Sequence, residues 1–335
     1  MTPDPAALKR EAKALLDALA DGMPAHEAYH EGAVLHLSHP WGRLTGDGIG
    51  AFHADLAAAL PRHDRRDLIL VAGANRDDPR LDAPRAPHWV AALGQLHGTM
   101  EGDLARIPAT GRPVMLQYGE CVFVEDGRIR ERRVILDLVD LCRQAEAFPL
   151  PRPYGVEGAW PAPATQDGWR PEGYDWTGPD ALETVYAMHG ALLAFDGRDL
   201  ASMDHARFWS RDFMYFGGGG IGATRGLDAF RANHQIPFLH AFPDRTSEGH
   251  HIRIAEGPYA VTGGTVLATH RGEYLGLTPT GRRVGIPVMD FYRLRPDGRI
   301  AENWLPIDVA GVAQQMGADL LARAAHYGGL PRTQL

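Results

Sequence analysis

Apolar residues recur along the chain first at helical and then at strand spacing, and that order occurs twice. From Pro5 to Leu19, the residues Leu8, Ala12, Leu15, Leu16 and Leu19 share one face of a 3.6-residue period, which predicts an amphipathic helix. From Asp180 to Phe195, Leu182, Val185, Tyr186, Leu192 and Leu193 do the same, with Asp180 as N-cap and Glu183 three residues on. Short helices and a loop are expected after each. Strand-like runs then cover 87–97, 113–124 and 128–138 in the first half, and 250–256, 259–270, 283–295 and 299–307 in the second. Asp126-Gly127 and Asp297-Gly298 fall between such runs and read as hairpin turns.

The halves also repeat each other letter by letter. Thr110-Gly111-Arg112 recurs as Thr280-Gly281-Arg282, Asp126-Gly127-Arg128-Ile129 as Asp297-Gly298-Arg299-Ile300, and Asp137 as Asp308. The offset stays at 170 to 171 residues, with one extra residue near Pro296 absorbing the change. A constant offset across three ordered matches marks a duplication, so two domains are predicted: 1–147 and 180–335. The Pro-, Gly- and Trp-rich segment 148–179 between them reads as a linker, with Trp160, Trp169 and Trp176 expected to pack on a domain.

The second copy resembles the SnoaL-like polyketide cyclases of the NTF2-like superfamily. The resemblance rests on IGATRGLDAFRANHQIPFLHAFPDR (221–245), THRGEYLGLTPTGRRV (269–284) and DFYRLRPDGRIAENWLPIDVAGVAQQMG (290–317), and covers roughly residues 180 to 320. The first copy keeps TGR, DGRI and Asp137. The resemblance implies an α+β fold, in which a curved, mostly antiparallel sheet closes with packed helices into a cone. Such cones usually pair sheet to sheet, so the tandem copies are expected to pair within one chain as a pseudo-dimer, with a homodimer of chains left open.

Net charge is −8 and no Lys/Arg block stands out, which speaks against nucleic acid as a partner. No apolar run reaches the ~20 residues of a membrane span, and Met1 to Asp21 lacks the apolar core of a signal peptide. A cytoplasmic protein is expected. The two cysteines, Cys121 and Cys142, form no disulfide framework, and no spacing matches a zinc motif.

What remains is a small-molecule ligand held in an apolar cone, with no cofactor and no metal expected. The resemblance implies cyclase chemistry, in which a carboxylate removes an acidic C–H proton and a donor steadies the enolate oxygen. Carried over, the cyclase base falls three residues before Asp308, where Leu305 stands; in the first copy the same slot holds Val134. The cyclase histidine falls at Asp290. Asp290 is therefore the expected acid/base, with His270 as a second catalytic candidate. His205, Trp209, Tyr215, His234, Asn303 and Leu305 are expected to bind substrate. Alternation along the last strand turns Asn303 and Leu305 to the cone and Trp304 to the sheet–sheet contact. A second site in the first copy would draw on His36, His39, His97 and Glu120. The glycine run 217–220 fits no phosphate-binding motif and is expected to be a flexible rim loop. Three functions stay open: a cofactor-free lyase or isomerase acting on a carbonyl or aromatic substrate, a non-catalytic binding protein, and a hydrolase of the epoxide type.

Overall fold

The computed structural model describes residues 4–81 and 86–329; the outer ends of the two predicted domains, 1–3 and 330–335, lie outside the described residues. The first half runs α1 (Pro5–Ala20), α2 (Ala25–Ala28), β1 (Tyr29–Leu37), β2 (Arg43–Thr45), α3 (Asp47–Ala59), β3 (Asp64–Ala74), β4 (His88–Thr99), β5 (Pro113–Glu125), β6 (Arg128–Leu136) and α4 (Leu138–Gln144). The second half repeats the plan with α5 (Ala181–Leu193), α6 (His205–Phe208), β7 (Trp209–Gly217), β8 (Ala223–Arg225), α7 (Gly226–Phe230), α8 (Ile236–Ala241), β9 (Thr246–Glu256), β10 (Tyr259–Thr269), β11 (Arg283–Leu294), β12 (Ile300–Leu305), α9 (Val309–Gln315) and α10 (Leu320–Gly328).

The strand orders are β2-β1-β6-β5-β4-β3 and β8-β7-β12-β11-β10-β9, the same order twice. Neighbours pair antiparallel except β1 with β6 and β7 with β12, which run parallel. Each sheet is longer than the sequence predicted. Its first strand carries polar residues just after its opening aromatic, as in Ser210-Arg211-Asp212, and the strand after α3 or α8 opens on them, as in Asp64-Arg65-Arg66-Asp67, which hides the alternation that marks a strand. The hairpin at Asp126-Gly127 is a two-residue turn with both φ positive, 50° and 74°. Its counterpart is looser, because the inserted Pro296 lengthens the loop.

Helices cover one face of each sheet. The other faces meet across an apolar layer that includes Trp89, Cys121, Met289, Phe291 and Trp304, all fully buried or nearly so. Gly119 is required there: a Cβ would stand 2.3 Å from Pro306. The contact is reciprocal. Asp137 caps α4 by accepting from Asp140 N (2.9 Å) and also accepts from Gly219 N of the other half (2.7 Å). Asp308 caps α9 through Gly311 N (2.9 Å) and accepts from His39 N of the first half (2.8 Å). The segment 148–179 straps both sheets. Trp160 is buried and donates from Nε1 to Gly217 O (3.0 Å), while its carbonyl accepts from Gln95 (2.8 Å).

This geometry corrects the reading of 217–220 as a flexible rim loop. The four glycines are buried at the domain contact, and a Cβ on Gly219 would lie 2.5 Å from Asp140 N. Glycine serves close backbone approach here rather than mobility. Among the described residues no helix is long and apolar enough to cross a membrane.

Candidate functional site

In the second half the helices stand off the sheet and leave a cavity of about 250 Å³. Strand alternation decides what faces it. On β11, Val288, Asp290 and Tyr292 turn inward, while Met289 and Phe291 turn to the partner sheet. On β12, Asn303 and Leu305 turn inward and Trp304 outward. Between α7 and α8, residues Arg231–Gln235 form a π-turn. Pro237 accounts for it, since a proline cannot donate to the carbonyl four residues back and its ring crowds that carbonyl. The wide turn brings His234 and Gln235 to the cavity wall.

Among the described residues Asp290 is the only carboxylate lining the cavity. It keeps some accessible surface because it faces this space, yet the protein packed around it desolvates the carboxyl and pushes its pKa up to about 6. Two groups oppose the shift: Asn303 Nδ2 donates to Oδ1 at 3.1 Å, and the Tyr292 hydroxyl hydrogen-bonds the same carboxylate. His189 Nε2 lies 3.2 Å from the Tyr292 hydroxyl and stacks on His250, ring centroids 5.3 Å apart. On the facing wall the Tyr215 hydroxyl lies 3.2 Å from His234 Nδ1, the two rings stacked at 4.6 Å. His205 Nε2 contacts Gln235 Nε2 at 3.0 Å. His205 Nδ1, Trp209 Nε1 and Gln235 Oε1 are buried with no protein partner among the described residues.

Burial holds all four histidines below their ordinary pKa, helped by nearby cationic groups for all but His234: His189 to about 3, His205, His234 and His250 to about 4. At neutral pH they are uncharged donors and acceptors. Burial also raises Tyr215 and Tyr292, which stay protonated. The chamber thus joins one poised carboxylate to several neutral donors, which suits moving a proton and holding an oxygen that gains charge.

Of the residues singled out from sequence, Asp290, His205, Trp209, Tyr215, His234, Asn303 and Leu305 line this one space. His270 does not. It shares the inward face of β10 with Val266 but lies just past the strand's end, behind Phe242 (5.8 Å), with Nδ1 3.2 Å from Thr280 Oγ1. Sequence reasoning missed His189, Tyr292 and His250. Tyr292 is two residues from Asp290 on the same strand face. His189 continues the Leu182, Val185 stripe at helical spacing. His250 has His251 beside it, and alternation turns the two to opposite faces without saying which is the inner one.

The first half brings no equivalent site together. Glu120, opposite Val134 in the β5–β6 register, has no accessible surface. It pairs with Arg65 and with Arg132, whose Nε donates at 2.7 Å, and Arg132 also donates to the Tyr29 hydroxyl (3.0 Å). His36 lies instead in the sheet–sheet contact, 3.8 Å from Glu131. His39 contributes its backbone to Asp308, and His97 contacts Gln95 at the outer rim (2.9 Å). The proposed second constellation is therefore dispersed: β1 turns His36 to the partner sheet, while Glu120 points under the helices into a packed ion cluster. Among the described residues no three His, Cys, Asp or Glu side chains are placed to hold a metal ion.

The sequence model of the SnoaL-like polyketide cyclases matches residues 84–145 and again 187–316, more than half of the chain and once in each half. The chain belongs to the SnoaL-like polyketide cyclase family. The matched regions run from β4 through α4 in the first copy and from within α5 through α9 in the second. No curated protein matches the sequence. Solved structures similar to it include AclR of Streptomyces galilaeus, provisionally named a hydroxylase, at 27% identity and TM-score 0.34 over 40% of this chain and 85% of that one. IdmH of Streptomyces antibioticus, provisionally a polyketide cyclase, is 24% identical at TM-score 0.33, over 41% of this chain and 99% of its own. A SnoaL-like protein of Jannaschia sp. CCS1 is 21% identical at TM-score 0.33, over 48% and 100%.

Proposed function

We propose that the second SnoaL-like copy is a cofactor-free proton-transfer catalyst, a lyase or isomerase acting on a small carbonyl-bearing or aromatic substrate, with Asp290 as base. One observation carries the reading: a single carboxylate, its pKa raised to about 6 by burial, faces an apolar chamber ringed by neutral donors. The cyclase base slot on β12 holds Leu305. The Phe291–Trp304 register sets Asp290 directly beside Leu305, so the carboxylate has moved one strand across rather than left the chamber. Asn303 and Tyr292 orient it. Epoxide-type hydrolysis finds less support, because the arginine nearest in sequence, Arg293, pairs with Glu302.

Exchange of the α-protons of 2-tetralone in D2O, followed by NMR, tests this. Wild type is expected to accelerate exchange, and Asp290→Asn to remove ~100-fold or more of that acceleration, the usual contribution of a positioned base. Unchanged exchange in Asp290→Asn would leave a binding protein as the better description.

A further inference from the structure

One cation at the chamber has no local counter-ion among the described residues. Among the described residues, three ionisable groups other than histidine and tyrosine line the chamber: Asp290, Arg80 and Arg245. Arg80 arrives from the first copy, in the β3–β4 connection, and is neutralised locally by Asp78 through Nε (2.9 Å) and Nη2 (2.6 Å). Asp78 also accepts from His250 N (2.8 Å), so this arm of the first copy is fixed against β9. Arg245 differs. It sits just before β9, half-buried, its guanidinium 5.9 Å from the Phe195 ring. Among the described residues no carboxylate pairs with it, and burial alone acts on it, lowering its pKa. It stays charged at neutral pH, and a partly desolvated, unpaired guanidinium is costly unless a ligand supplies the anion.

The histidines around it, His189, His205, His234 and His250, are neutral and add no compensating charge; Thr246 and Ser247 add only hydroxyls. Size narrows the ligand further. A dry cavity of about 150 Å³ takes one benzene ring, so about 250 Å³ encloses a body of one to two rings.

We infer that the substrate is a one- or two-ring compound bearing a carboxylate, which seats on Arg245 while the ring system fills the apolar chamber. This rests on the second copy's cavity being the working site, and not on Asp290 acting as a base. The planar guanidinium matches a carboxylate through two parallel hydrogen bonds.

The test is calorimetric titration of the full chain with benzoate and with benzamide, its neutral isostere, at pH 7. Benzoate is expected to bind about tenfold more tightly or better. Arg245→Met should bring the two ligands within about twofold and match wild type in circular dichroism. Arg245→Lys should restore part of the preference, which a merely structural arginine would not require. Equal binding of the two ligands by wild type, no benzoate binding at millimolar concentration, or a preference that survives Arg245→Met would each overturn the inference. Repeating the titration with Asp290→Asn separates the two proposals: anion preference kept there, with tetralone exchange unaffected by the same substitution, would sink the proton-transfer reading and leave the carboxylate site standing.

Discussion

At the scale of single residues, the chemistry turns on one carboxyl that the fold keeps partly out of water. Alternation along VGIPVMDFYRL sets Asp290 on the face opposite Met289 and Phe291, but leaves open which of the two faces is the cone. What it could not give was depth, because the helices that desolvate the carboxyl are distant in sequence. The same limit explains His270: its strand face was legible, but Phe242, which closes that end, comes from a separate segment. A pH dependence follows from Asp290. Its native pKa, about 6, lies above that of an exposed aspartate, so the native state holds a proton that the unfolded chain releases. Stability attributable to this group is therefore present below about pH 4 and lost as pH rises through about 6. Asp290→Asn should melt higher than wild type at pH 7 to 8, with the gap closing towards pH 4, read by calorimetric melts across that range. Base-dependent exchange should run the opposite way in wild type, rising through about pH 6.

At the scale of elements, the two sheets share one strand order but use the inside of the cone differently. The slot of Asn303 on β12 is held by Arg132 on β6; each lies two residues before, and on the same face as, Leu305 and Val134 respectively. An uncharged amide beside a carboxylate leaves room and a raised pKa; a guanidinium there, joined by Arg65 from β3, clamps Glu120 into a buried ion cluster. The duplication was plain in TGR, DGRI and the paired aspartates. The loss of the first chamber was not, since it depends on Arg65 reaching Glu120 across two strands. Glu120→Gln should destabilise the chain by about 3–5 kcal/mol, because the buried Arg132 loses its carboxylate partner and Arg65 is left with Asp67 alone. Chemical denaturation measures this, and tetralone exchange at the second site should stay within about twofold of wild type in the surviving folded fraction.

At the scale of the whole molecule, each half is unfinished alone. The layer containing Trp89, Met289, Phe291 and Trp304 would become surface if the halves parted, and contiguous apolar patches of that kind drive association. Residues 180–335 expressed alone should elute in light-scattering chromatography as a dimer or larger, and a stable monomer would contradict the shared-layer account. Arg80 and Asp78, lent by the first half to the rim of the second half's chamber, would be missing from that fragment as well. The clamp on Glu120 has one more consequence. Two like chambers in a paired assembly could communicate, so that filling one altered the other. With one chamber closed by its own ion cluster, a saturation curve for this chain should show a stoichiometry of one and a Hill slope of one, leaving its first half to act as an architectural chaperone to its second.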